Sequence, residues 1–440
     1  MTVVVAGAGL AGLAAARELE ARGAAVTLVE ARDRVGGRVW TIRDGFASRQ
    51  HAEAGADLIE GEQEHVQALA HELDLDTVRI LRSGFGYYGP DARGRRRLHR
   101  HADTFGHAAQ ALAREIHEFR LAEMRWDSAI AMRLAQRSAA DWLKSRRSPI
   151  DLWSGVRAFR GFFLADPEDL SLLPLVEQFA AGGTPGQGHI FRIRDGNDRL
   201  ATEMARRLRG RTLLSTIVRR IRQGSDRVTV TLEGASGQRS ELEASFVVCG
   251  LPASTLRDVT FEPALPDPAH QAIRGLRYGC ATRVLVQFDR RFWNRRGRPR
   301  AFATDLPAGA FWDANEHQRG RPGILSFLAG GFASGELQQV LRGEGQGGLL
   351  RQISWLGPPS TILASRVVVW EEDPWARGGY AFFDPAFDPL WRAWLARPAG
   401  RVAFAGEHTS VRWQGYMNGA VESGLRAAAE IAAIAGTSIG

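Results

Sequence analysis

Lysine is almost missing from this chain. Lys144 is the single lysine among 57 basic residues in 440, and every other one is arginine. The formal net charge of +8 would ordinarily raise a nucleic acid or an anionic membrane as a partner. The arginines are spread along the chain as a genome-wide codon bias would leave them, so neither partner is expected. The one dense cluster is Arg93, Arg95, Arg96, Arg97 and Arg100, interleaved with His99 and His101. It follows Tyr87-Tyr88-Gly89-Pro90 and reads as a solvated turn. Cysteine is also scarce. Cys249 and Cys280 provide neither a disulfide framework nor a metal-ligand spacing, and they fit a reducing cytoplasm. His99, His101 and His107 lack carboxylate or cysteine company; they read as surface residues, and no metal is expected. No stretch approaches the ~20 apolar residues of a membrane span. The N-terminus reads directly as a strand, with no basic segment ahead of it, so no signal peptide is expected. Hydrophobic content of 44% with 24% charged residues is that of a globular protein, and the length favours two joined domains.

What is present begins at once. Thr2–Ala6, TVVVA, is a short apolar run that leads into Gly7-Ala8-Gly9-Leu10-Ala11-Gly12 and a helix-forming stretch. A second apolar run, AAVTLVE, ends on Glu30. The order is strand, glycine turn, helix, strand, acid. Gly7 permits the tight turn, Gly9 lets backbone approach a pyrophosphate, and Gly12 lets helix and strand pack closely. The phosphates would sit on free N–H groups at the helix N-terminus, and Glu30 is placed to accept hydrogen bonds from a ribose. A second glycine pair, Gly36-Gly37-Arg38, could wrap the diphosphate again.

Residues 1–80, 191–260 and 391–440 read as a discontinuous nucleotide domain. Residues 81–190 and 261–390 read as the substrate domain. In the first group, Leu213 to Ile221 and Arg227 to Leu232 look like strands, and Ser245 to Cys249 like a buried one. In the second, Arg283 to Phe288 is a strand and the glycine-rich Gly343 to Gly348 a flexible loop. Near the end, a strand from Arg401 delivers Gly406 and Glu407 to a loop. A helix then starts near Tyr416, with Gly419, Ala420 and Gly424 giving it a smooth face. Its N-terminus carries partial positive charge, suited to the negative charge that builds on the pyrimidine end of a flavin.

These pieces resemble the flavin-containing amine oxidase family, which includes monoamine, polyamine and L-amino acid oxidases. The resemblance rests on GAGLAGLAAA…LVEARDRVGGR at one end and FAGEHTS…WQGYMNGAVESGLRAA at the other, with DGNDRL and VVCGLP between them. It is weakest over residues 100 to 185. The resemblance implies an α/β fold with a Rossmann-like FAD-binding domain and an α+β substrate-binding domain. It implies that FAD meets Gly7, Gly9, Gly12, Glu30, Arg38, Val218, Glu407 and Met417. With them it would meet the flanking Leu10, Ala11, Ala31, Arg32, Gly36, Gly37, Gly406, Gln414 and Ala420. Some members tether FAD through a cysteine just before a tyrosine; here Gly379 stands at that position, so non-covalent FAD is expected. Tyr380 and Tyr416 match the two tyrosines that line the flavin in monoamine oxidases, where ring faces orient a neutral amine.

Two departures bear on chemistry. The family's usual water-holding lysine aligns with Arg283, which stays protonated and cannot act as a base. The carboxylate-binding arginine of L-amino acid oxidases has no counterpart in Ala56-Asp57-Leu58, which favours an amine over an amino acid unless Arg283 takes that role. Asp57 and Glu60 could favour a second cationic group on the substrate. The expected reaction is oxidation of a small-molecule amine to an imine, hydrolysed to aldehyde or ketone, with molecular oxygen reduced to hydrogen peroxide. An L-amino acid oxidase, a desaturase or dehydrogenase in a biosynthetic pathway, and a non-catalytic flavin-bound module contacting a partner through the basic turn remain open. So does oligomeric state, a homodimer included.

Overall fold

The computed structural model describes residues 1–91, 93–99, 104–146, 150–158, 160–181, 188–358 and 360–437. The chain has a mixed α/β fold. Its first sheet has five strands in the spatial order Arg211–Leu213, Ala25–Val29, Thr2–Ala6, Phe246–Cys249 and Val402–Phe404, every pairing parallel. Near-continuous apolar runs suit a parallel sheet because both of its faces are covered. Successive side chains leave a strand on opposite faces, and Thr2–Ala6 shows the result. Val3 and Val5 pack under the helices Leu10–Ala21 and Met417–Thr437, while Val4 and Ala6 pack toward a four-stranded sheet built on Thr216–Gln223 and Val228–Gly234.

A seven-stranded sheet forms the other large element. Its order is Ile362–Val369, Ala281–Phe288, Gly323–Gly330, Ala310–Asp313, Ala301–Thr304, Phe85–Pro90 and Arg96–His99. The strand Ala281–Phe288 is buried along its whole length. Helices Ile150–Ala158 and Arg160–Phe163 lie against this sheet.

Several sequence expectations change. Arg96 to His99, expected within a turn, is strand, because it pairs with Phe85–Pro90 as a hairpin. The turn between them is held by Asp91, whose Oδ1 accepts from Arg93 N (2.9 Å) and Arg95 N (3.0 Å). Arg96 pairs with Asp305 at 2.6 Å, so part of the basic charge is compensated. Arg100 and His101 lie outside the described residues. His99 is half-buried beside Tyr87 rather than on the surface, whereas His107 is exposed. Gly343 to Gly348 is not a loop: it belongs to the helical segment Phe332–Gln352, interrupted at Gly345 (φ 59°, ψ −152°). Burial of Leu337 and Leu349 in the core outweighs the poor helix propensity of the glycines. The run from Leu213 to Ile221 divides at Ser215 (φ 51°) into strands of two different sheets.

The two long helices meet through small residues. A Cβ at Gly424 would collide with the Ala11 carbonyl oxygen and lie 3.0 Å from Ala14 Cβ. Gly424→Ala is therefore expected to destabilise the protein by about 1–3 kcal/mol through overpacking, read as a lowered melting temperature. An unchanged melting temperature would mean that this helix pair has room to spare.

Candidate active site

One cavity of about 1570 Å³ runs between the parallel sheet and the seven-stranded sheet. That exceeds the roughly 300–1,000 Å³ of an ordinary small-ligand pocket. Four parallel strands aim their carboxyl ends at it: Thr2–Ala6 leads to Gly7, Ala25–Val29 to Glu30, Phe246–Cys249 to Gly250, and Val402–Phe404 to Gly406, all on its wall.

At the nucleotide end, Gly7 takes φ 95° and Gly9 caps the helix Leu10–Ala21. No side chain caps this helix and no acid occupies its first turn. A Cβ at Gly9 would meet nothing within 4 Å, so the turn presents bare backbone to open space. Gly36 N donates to Ala8 O (2.8 Å), which lays the second glycine pair against the first. Gly36 and Gly37 take φ 97° and 56°. Leu10, Ala11, Ala31, Arg32 and Arg38 complete this part of the wall. Glu30 is buried, its carboxylate accepting from Ala8 N (2.7 Å) and Arg32 N (2.9 Å). The Arg32 guanidinium is bound to Asp373 (2.6 Å), and Arg38 to Glu407 (2.9 Å) and the Gly379 carbonyl. With both arginines paired, a diphosphate here would be met chiefly by backbone N–H groups and the helix N-terminus. The exposed glycine cradle, the uncapped helix and the buried acid fit a dinucleotide.

Gly12 and Val218 do not line the cavity. A Cβ at Gly12 would collide with the Gly7 carbonyl oxygen, so its part is the close packing of helix on turn. The Val218 side chain turns into the core.

At the other end stand Tyr380, Tyr416, Arg283, Gln414, Met417 and Ala420. Gly415 takes φ 82°, and a Cβ there would lie 3.3 Å from Tyr380 Cδ2, so the Tyr380 ring rests on the backbone just before Tyr416. The Tyr380 hydroxyl donates to Phe162 O (2.6 Å), and the Tyr416 ring meets Trp413 edge-on at 5.6 Å. Among the described residues no ring contact joins Tyr380 to Tyr416. Burial pushes both phenols above the ordinary tyrosine range, so they stay protonated.

Arg283 lies on the strand Ala281–Phe288. Its terminal nitrogens donate to Ser326 Oγ and Gly55 O (2.9 Å each), and its guanidinium stacks on Trp312 at 4.9 Å. Its Nε is buried without a partner. Burial lowers its pKa while Asp57 opposes the shift. Asp57 itself is held by Arg192 (2.6 Å) and Trp312 Nε1 (2.7 Å) and is not free for a substrate cation. Glu60 lines the cavity, its carboxyl pushed up to about 7 by burial and the nearby Glu62. Trp312, Trp370, Phe162, Leu164 and Leu328 also form this wall. None carries a motif in the sequence; only their bulk hinted at them.

Comparison with known proteins agrees. The family model described as flavin containing amine oxidoreductase matches residues 10–432. A Mycobacterium tuberculosis chain provisionally named a flavin-containing monoamine oxidase is 31% identical, the match covering 98% of this chain and 96% of that one. Mouse L-amino-acid oxidase is 29% identical, covering 98% and 70%. The structure of cyclohexylamine oxidase from Brevibacterium oxydans superposes with a TM-score of 0.87 at 24% identity, covering 98% of each chain. This chain belongs to the flavin-containing amine oxidoreductase family, and its cofactor is FAD.

Proposed function

We propose that the protein oxidises a small apolar or aromatic amine, seated neutral between Tyr380 and Tyr416. The observation that carries this reading is the placement of both tyrosines on one cavity wall, with the Glu407 carboxylate bonded to backbone beside each: Ala381 N (3.3 Å) and Gly415 N (2.9 Å). The parallel sheet then serves as a Rossmann-like FAD domain assembled from 1–80, 191–260 and 391–440, with 81–190 and 261–390 enclosing the substrate.

FAD, when bound, supplies the acceptor for a hydride equivalent from the carbon beside nitrogen, and oxygen then takes the electron pair to give hydrogen peroxide. The remaining work falls to the chain. The glycine cradle and Glu30 hold the dinucleotide, Arg38 and Glu407 fix the loops around the ring system, and the aromatic wall excludes water. Tyr380 and Tyr416 present ring faces that favour charge developing on nitrogen. No protein base is needed for an amine bound unprotonated, and Arg283 cannot supply one. Its unpartnered Nε can donate to a water. The imine leaves for hydrolysis to aldehyde or ketone. Two free thiols suit a reducing cytoplasm, and no described helix is long and apolar enough to cross a membrane.

FAD is held without a covalent bond in this reading. Neither cysteine nor any histidine lines the cavity among the described residues. Gly379 itself offers no thiol, and a Cβ there would have to displace the Leu164 side chain. Denaturation followed by ultrafiltration should release all yellow colour into the filtrate; colour retained with the polypeptide would refute this.

Anaerobic absorbance titration tests the substrate class. Cyclohexylamine or benzylamine should bleach the flavin band, and air should restore it with peroxide formed. L-Phenylalanine at the same concentration should leave it unbleached, because Ala56-Asp57-Leu58 offers its carboxylate no arginine and Arg283 is held in place by Ser326, Gly55 and the Trp312 ring. Bleaching by amino acids alone would move the assignment to an L-amino acid oxidase.

A further inference from the structure

Arg392 is a cation in an apolar place. It stands in the short helix Pro389–Leu395 and is only 6% exposed. Its guanidinium lies against the rings of Trp126 (5.0 Å) and Phe383 (4.6 Å), which meet each other edge-on at 4.7 Å. Among the described residues no carboxylate comes within ion-pair distance of it. Two acids compensate it from further away, Glu177 and then Glu407; Glu177 Oε1 accepts from Trp126 Nε1 (2.7 Å), and both line the cavity. Burying such a charge is costly unless its hydrogen bonds are well used.

They are spent on a single loop. Nη1 donates to Gln414 Oε1 (2.6 Å), and Nη2 to Ser410 O (2.6 Å) and more weakly to Val411 O (3.4 Å). With its oxygen so engaged, the Gln414 amide must turn its NH2 the other way, and it donates to Ala381 O (2.8 Å). Arg392 thus reaches, through one side chain, from the loop that delivers Tyr416 to the residue that follows Tyr380. The planar fork can hold the Gln414 amide and the Ser410 carbonyl together; a single ammonium is a poorer match.

We propose that Arg392 is a positioning residue for the tyrosine pair, acting through Gln414 to fix the spacing of Tyr416 and Tyr380, with Glu177 and then Glu407 as its distant counter-charges. The kinetic part of this proposal rests on the reading that the amine sits between those rings. The hold on the loop does not.

A double-mutant cycle with two readouts tests it: R392Q, Q414A, the double variant, and R392K. The first readout is anaerobic flavin reduction at saturating amine. Each single variant should be reduced about ten-fold or more slowly, since small misplacements near the chemistry are costly. The double variant should be no slower than the slower single, because the two residues act as one unit, and R392K should recover part of the loss. The second readout is tryptic cleavage after exposed Arg412, inside the loop. It should speed up about ten-fold in both single variants while cleavage elsewhere is unchanged, as local opening requires. Q414A removes no buried charge and keeps the test usable if R392Q folds poorly. Additive losses, or wild-type reduction and cleavage in R392Q, would overturn the proposal. If no amine reduces the wild-type flavin, the amine reading falls, and the cleavage cycle alone decides whether Arg392 holds the loop.

Discussion

The Glu407 carboxylate ties the site together. It is buried at the end of the last parallel strand, directly after Gly406, whose φ of 139° only glycine adopts without strain. Its oxygens accept from Arg38 Nη1, Ala381 N and Gly415 N. Those partners come from three segments far apart in sequence: the end of the nucleotide turn, the residue after Tyr380 and the residue before Tyr416. A buried carboxylate persists only when paired and hydrogen-bonded, so these segments are obliged to converge. Loss of the acid would also strand Arg38, whose remaining acceptor is the Gly379 carbonyl.

The fold explains why one side chain can do this. Parallel strands end on the same side of a sheet, and a ligand crevice opens there. Gly7, Glu30, Gly250 and Gly406 all sit at such ends and all reach the cavity. The seven-stranded sheet closes the opposite side with Arg283 and Trp312, and Tyr380 hangs from Gly161 and Phe162 of the adjoining helix through its hydroxyl. The tyrosine pair therefore stands where the two sheets face each other.

How much of this was legible depended on how locally each feature is encoded. The Gly7–Gly12 turn, the Gly36–Gly37 pair and the Gly406 strand end demand backbone conformations or close approaches that glycine supplies, so residue identity alone reports them. Tyr416 was legible because it lies within a long motif, and Tyr380 because the short Gly378-Gly379-Tyr380 stretch matches the family's tethering segment. The substrate wall was not: Trp312, Trp370 and Phe162 converge from separate strands and helices, and nothing in their spacing predicts the meeting. Arg283 was placed on its strand but not in its bonds, since Ser326 and Gly55 are brought to it only by tertiary contact. Gly343 to Gly348 misled for the same reason, because burial of Leu337 and Leu349 is a property of the packed state. The Arg392–Gln414 link escaped because an arginine in an arginine-rich chain carries little signal.

Glu407→Gln is the most direct test of the account. Glutamine keeps the size and one acceptor oxygen but cannot balance Arg38 while receiving both backbone N–H groups. The account predicts a folded protein that binds FAD more weakly and, once loaded with saturating FAD, is reduced by amine roughly a hundred-fold more slowly, as loss of reactant alignment implies. Wild-type FAD affinity together with a wild-type reduction rate would contradict it, and would mean that the two tyrosines and the nucleotide turn are held in place without this carboxylate.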